Sequence, residues 1–163
     1  MQKSCSKSRL EIKQSKIHGK GVFAISNFKK YETVFIFADE KKQIYHKPGC
    51  DCKICRMCIE IGPHNWLYPR PNSFGRYLNH SCNPNCGIKG NEIVSIEKIV
   101  PGEEITIDYS TTTIDKTWGH ECFCGAINCK KFIRSVQYLP KNIFNKYKDY
   151  MPAYVRNNYP QNG

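Results

Sequence analysis

The sequence predicts a small, loop-rich, mostly β domain, on three observations. Its apolar runs are short and rich in branched and aromatic residues, as strands are. No long stretch before residue 139 carries a clean 3.6-residue period. Gly19, Gly21, Gly49, Gly62, Gly75, Gly87 and Gly90 interrupt what lies between. A length of 163 residues favours one domain. A hydrophobic share of 40% with 20 aromatic residues supports a modest core and excludes whole-chain disorder.

The elements follow in order. Val22-Phe23 and Val34-Phe35-Ile36-Phe37 read as strands, as do Ile93-Val94-Ser95-Ile96 and Ile105-Thr106-Ile107. Pro101-Gly102 marks the turn between the last two. Ile59-Glu60-Ile61 is a further strand candidate. Residues 139–150 form one helix, with Pro140 early and Pro152 beyond its end. The polar tail from Asn157 is expected to fray. No run of eighteen apolar residues is present, so no membrane span is expected, and the N-terminus has no secretory h-region.

Net charge is +11 and unevenly spread. Residues 1–30 hold 8 basic and 1 acidic residue, and residues 130–163 hold 7 and 1. The body between them holds 10 basic and 12 acidic residues. Such ends can dock on nucleic acid, although lysine-rich ends also serve plain solubility. The acidic body suits a cationic substrate. Ten cysteines without a signal peptide point to metal thiolates in an intracellular, reducing compartment rather than to disulfides.

The cysteines cluster. Cys122-Phe123-Cys124-Gly125-Ala126-Ile127-Asn128-Cys129 gives C-x-C-x4-C, three thiolates close enough to share one Zn2+, with a fourth ligand needed from elsewhere. Cys50, Cys52, Cys55 and Cys58 offer four candidate thiolates for a second site. Their spacing is tighter than the usual paired knuckles, and Cys58 could instead be packed at the start of a strand. Gly19-Lys20-Gly21-Val22-Phe23-Ala24 satisfies a dinucleotide fingerprint on spacing, but neither a helix nor a βαβ unit follows. A tight turn whose backbone touches a ligand fits it better. Arg76-Tyr77-Leu78-Asn79-His80-Ser81-Cys82-Asn83-Pro84-Asn85-Cys86 is the densest polar stretch, and Gly102 to Tyr109 runs from a turn through a strand to a tyrosine.

Together, in this order, these segments resemble the SET domain of protein lysine methyltransferases. Gly19–Ala24 is similar to its opening G-x-G motif. Arg76–Cys86 resembles its Arg-(Phe or Tyr)-x-Asn-His-Ser-Cys-x-Pro-Asn motif almost letter for letter. Gly102-Glu103-Glu104-Ile105-Thr106-Ile107-Asp108-Tyr109 resembles its G-E-E motif ending in Asp-Tyr, and the C-x-C-x4-C run resembles the post-SET zinc segment. The resemblance covers roughly residues 10–135. It implies a β-clip-like fold of several small sheets with a C-terminal pseudoknot, a post-SET zinc loop and a short C-terminal helix. The corresponding division is a SET domain at 10–110 with a cysteine-rich insert at about 46–60, a post-SET segment at 118–134, and a helix and tail at 135–163.

The resemblance also implies roles. Backbone around Lys20, Gly21 and Val22, with Tyr77, Asn79, His80 and an aromatic such as Phe123 (or Phe132), would hold S-adenosylmethionine. Cys82 would join Cys122, Cys124 and Cys129 on Zn2+. Tyr109 would be the catalytic tyrosine, and Phe37 and Ile107 would line the lysine channel. Phe37 stands where the family often carries a tyrosine. Ile107 stands where Phe or Tyr limits the number of methyls, which implies di- or trimethylation. The expected function is methylation of lysine on a histone tail or another basic protein, with nucleic-acid contact through the basic termini and no membrane. Two alternatives stand beside it: a catalytically silent SET-like peptide binder, and a zinc-stabilised nucleic-acid-binding module.

Overall fold

The computed structural model describes residues 8–37, 41–43 and 57–160. Cys50, Cys52 and Cys55 lie outside them, and with them most of the expected insert and the second cysteine site. Twelve strands are described. In chain order they are β1 (Leu10–Gln14), β2 (Lys20–Ala24), β3 (Thr33–Ile36), β4 (Lys41–Gln43), β5 (Ile59–Gly62) and β6 (Asn65–Leu67). After them come β7 (Asn79–His80), β8 (Cys86–Lys89), β9 (Glu92–Ser95), β10 (Glu104–Ile107), β11 (Gly119–Glu121) and β12 (Phe132–Arg134). They form four small sheets ordered β1-β2-β10-β7, β3-β9-β8, β4-β6-β5 and β11-β12.

The β1–β2, β5–β6, β8–β9 and β11–β12 pairs join consecutive strands antiparallel, whereas β2–β10, β3–β9 and β4–β6 are antiparallel pairs of strands that are not consecutive. The exception in direction is β7 with β10, which run parallel with Asn79 opposite Thr106 and Ile107 opposite His80. Between these strands the chain leaves to form the β8–β9 hairpin in another sheet. Two segments far apart in sequence are thereby fixed side by side.

Packing explains the sheet order. Val22, Ile88, Ile93, Ile99 and Ile105 are wholly buried in one apolar cluster with Phe28, Leu67 and Cys86. Each such aliphatic side chain contributes roughly 1.5–3 kcal/mol on burial. Cys86 therefore acts as a small core hydrophobe, not as a ligand.

The C-terminal part differs from expectation. Helix α1 covers only Lys141–Tyr147, a 3-10 turn follows, and a second helix α2 spans Ala153–Asn157. Pro152 precedes its first residue, where a fixed φ and a missing N–H suit a helix start. The tail does not fray at Asn157. The Tyr159 ring stacks on Phe144 at 3.7 Å, and its hydroxyl donates to the Leu139 carbonyl. These residues close a second apolar cluster around Val136, Met151 and Val155. No helix among the described residues is long and apolar enough to cross a membrane.

Candidate active site

The parallel pairing of β7 and β10 makes the site. It places Tyr109, just past β10, against the Asn79-His80 strand. The Tyr109 backbone N–H donates to His80 Nδ1 at 3.1 Å, and its hydroxyl donates to the Leu78 carbonyl at 2.5 Å. The two rings lie 5.4 Å apart. Burial pushes the Tyr109 phenol well above its ordinary value, so it stays protonated.

His80 is a relay between this tyrosine and the cysteines. Burial, with the Lys130 ammonium nearby, lowers its pKa to about 4, against the opposing pull of Asp108. The ring is thus neutral at pH 7. Because Nδ1 accepts from Tyr109, the proton resides on Nε2, which faces the Cys82 sulfur at 3.3 Å.

The glycine turn is tied in by a residue not singled out from sequence, Glu104 on β10. Its carboxylate accepts from Asn79 Nδ2 at 2.7 Å and from the Ser15 hydroxyl. The same Asn79 nitrogen also donates to the carbonyls of His18 and Lys20. Gly21 leaves the room: a Cβ there would lie 2.1 Å from Glu104 Oε1. The second glutamate of the G-E-E run was the only sequence signal for this role.

The cysteines converge. Cys82 and Cys129 each lie 3.7 Å, sulfur to sulfur, from Cys122. The ligand atoms of His80, Cys82, Cys122 and Cys124 all lie within 4.8 Å of one another. Four thiolates at about 2.3 Å from a tetrahedral ion stand about 3.8 Å apart, so the spacing fits Zn2+. The chemistry fits too. Burial raises the Cys82 thiol to about 11, whereas N–H donors from Cys82 and Ala126 overcome burial and bring Cys124 down to about 7. Thiolates this crowded are stable together only around a cation. His80 Nε2 lies within the same group, and because it carries the proton its N–H suits a hydrogen bond to the Cys82 sulfur better than a place on the metal. Asp108, Lys130 and the backbone fasten the segment. Lys130 Nζ donates to Asp108 Oδ2 at 2.7 Å, and its backbone N–H points at Cys82 Sγ.

The remaining expected residues fall in three places. Lys20 is exposed at the start of β2, while Gly21 and Val22 are buried. Tyr77, in the 3-10 turn Phe74–Tyr77, packs half-buried on the core. Ile107 is buried and faces a cleft of about 760 Å³, together with Leu78, Tyr109, Trp66, Glu60 and Tyr154. Phe37 is not among the residues lining that cleft. It is buried behind Gly75, where a Cβ would come within 2.3 Å of its ring, and it borders a separate small hollow. Phe123 is 76% exposed, and Phe132 is also exposed. Cys58 is buried at the cleft wall.

Known proteins are similar to this chain in sequence and in fold. Human "Histone-lysine N-methyltransferase 2B" is 29% identical over 152 residues, which span 80% of this chain and 5% of that protein. The trithorax histone-lysine N-methyltransferase of Drosophila virilis is 28% identical over 148 residues, 80% of this chain and 4% of that one. The chain thus matches only a small part of these relatives' length. In fold it is similar to the crystal structure of KRYPTONITE in complex with mCHG DNA and SAH, with a TM-score of 0.57 and 23% identity over 77% of this chain and 29% of that one. The family model of the SET domain matches residues 19–110, from the glycine turn to Tyr109 and the residue after it. Those are the segments that β7 and β10 bring together, and by this match over more than half its length the chain belongs to the SET domain family.

Proposed function

We propose that the chain is an S-adenosylmethionine-dependent protein-lysine N-methyltransferase. One observation carries the reading: a protonated Tyr109 hydroxyl held on the Leu78 carbonyl beside the floor of an open cleft. The relatives named as histone-lysine N-methyltransferases support a histone tail, or a similar basic protein segment, as substrate.

S-adenosylmethionine, when bound, supplies an electrophilic methyl on a sulfonium. Lys20, Gly21 and Val22 would offer backbone to it, and Tyr77, Asn79, His80 and Phe123 would complete its pocket. Asn79 and Glu104 keep the glycine turn in place for this. The target lysine must arrive neutral, although its free pKa is near 10.4. The buried apolar wall of Ile107 and Leu78 disfavours the ammonium. Tyr109 remains a hydrogen-bond donor and so orients rather than removes a proton. Aligning the nucleophile is then the protein's main contribution. Ile107 brings no hydroxyl to the channel, which supports di- and trimethylation. Phe37, in its buried place, shapes the channel from behind Gly75.

Zn2+ on Cys82, Cys122, Cys124 and Cys129 would fix the post-SET segment over the site, in a reducing intracellular compartment. Cys50, Cys52, Cys55 and Cys58 remain a candidate second site. The basic ends would engage the nucleic-acid-rich assembly that displays the substrate tail.

Label transfer from methyl-labelled cofactor to histones and ribosomal proteins tests the reading. The wild type should label a band, and Tyr109→Phe should lower the rate at least about a hundredfold with the fold intact. Equal labelling by the two proteins would overturn the assignment of Tyr109. Cofactor binding without any transfer would favour the silent peptide binder, and salt-dependent nucleic-acid binding without cofactor would favour the zinc module. Mass spectrometry showing only monomethyl product would refute the multiple-methylation reading.

A further inference from the structure

Glu60 is a buried carboxylate that pairs with no lysine or arginine among the described residues. It is 9% exposed and lies in the wall of the cleft that holds Tyr109. Its Oε2 accepts from the Thr113 hydroxyl and from the Ile114 backbone N–H. Among the described residues, Oε1 accepts nothing, and no lysine or arginine pairs with it. The nearby charge that acts on it is Asp115, of the same sign, and burial pushes its carboxyl above the usual range. Buried carboxylates are ordinarily paired.

The surroundings suit a cation from outside. Trp66 stands directly opposite Glu60 across the β5–β6 pair and lines the same cleft. Tyr154 of α2, whose phenol feels the Glu60 charge, forms the adjoining wall. A carboxylate flanked by aromatic rings is a receptor for ammonium or guanidinium groups. Among the described residues, the basic side chains on the cleft are His64, Arg76 and Lys116. Arg76 donates to the Tyr68 hydroxyl, and Lys116 is exposed.

We propose that Glu60, with Trp66 and Tyr154, is a specificity subsite that takes a basic side chain flanking the target lysine in the bound protein segment. This rests on the methyltransferase reading for the word "target". The cation is not the target amine itself. A carboxylate beside that amine would hold it protonated and oppose the reaction.

The probe is a set of fluorescent lysine-centred peptides with neutral spacers. Each carries one arginine, lysine or citrulline at a flanking position in turn. Binding is measured by polarisation to wild type and Glu60→Gln, and methyl transfer is measured on the same peptides. Glu60→Gln keeps an acceptor for Thr113 and Ile114, and Glu60→Asp serves as the charge-preserving control. At one position the wild type should bind the cationic peptide about tenfold or more tightly than the citrulline peptide. Glu60→Gln should lose that preference at unchanged affinity for citrulline, and Glu60→Asp should keep part of it. Preference for arginine over lysine, or the reverse, identifies the cation. Equal binding of cationic and neutral peptides, no binding of any, or a preference that survives in Glu60→Gln would overturn the subsite. Preference without transfer would leave the subsite standing and remove the transferase reading; transfer without preference would do the opposite.

Discussion

The sheet core and the cysteine segment are held by different means. The core buries Val22, Ile88, Ile93, Ile99 and Ile105 completely and closes on its own apolar surface. The segment from Gly119 to Arg134 buries little: its cluster consists of Cys82, Cys122 and Ile133, while Phe123, Ile127 and Phe132 face outward. Hydrophobic burial fixes the first region. The second has little of it, and in the zinc reading proposed above thiol ligation holds it instead. A short loop can be ordered at low apolar cost when a metal supplies the binding energy.

Removing the metal should separate the two regions most sharply. Structural zinc contributes on the order of 10 kcal/mol at neutral pH. Chelation, or Cys122→Ser, should abolish amide-exchange protection over residues 118–134 and leave β2, β9 and β10 protected. Elemental analysis should find about one zinc per chain for this cluster, and a count near two would place a second in the Cys50–Cys58 run. Loss of protection in both regions at once would refute the division.

The reverse experiment breaks the core. In Gly21→Ala the new methyl would meet a Glu104 carboxylate pinned by Ser15 and Asn79. Denaturant unfolding should show a loss of about 3 kcal/mol. Metal content should be unchanged.

Lys130→Met tests the joint between them. It strips the cation from Asp108, whose side chain is 1% exposed and, among the described residues, keeps the Ser110 N–H beside a neutral His80. Lys130 is itself partly exposed, so the cost should be about 2 kcal/mol, below that of a fully buried pair. Adding Asp108→Asn should restore part of it, which a double-mutant cycle will read.

The smallest effect concerns neither region but the cleft wall. The folded-state pKa of Glu60 is raised, so the native state binds its proton more tightly than the unfolded chain does. Its ionisation therefore weakens the fold as pH rises above the ordinary carboxyl value. Glu60→Gln should melt higher than wild type at pH 7, and the gap should close as pH falls toward 4.5. A variant less stable at neutral pH would count against an unpaired charge.

Much of the fold was legible. The runs that become β2, β3, β9 and β10 are apolar and branched, and the turn at Pro101-Gly102 holds, with Gly102 at φ +92°. Other strands were hidden for physical reasons. Leu10–Gln14 is an edge strand with only Leu10 buried, so its pattern is weak. Cys86–Lys89 carries a glycine because Tyr150 packs on it: a Cβ at Gly87 would lie 2.4 Å from the Tyr150 Cβ and 2.7 Å from its carbonyl oxygen. Helix α2 was missed because five residues carry too little period to read, and Val155 with the Tyr159 stack decides its place.

The sequence by itself determined which segments carry chemistry: the glycine turn, the Asn79-His80 stretch, the Asp108-Tyr109 end and three cysteines at metal-binding spacing. These are local patterns, written in residue type and interval. Only the tertiary structure decided that β7 lies parallel to β10, that Glu104 fills the space Gly21 leaves, that Cys82 meets the distant thiols, and that Glu60 is buried with no lysine or arginine among the described residues to pair it. Each depends on the register of strands remote in sequence, and on which charged residues the folded chain encloses. A one-dimensional period carries neither.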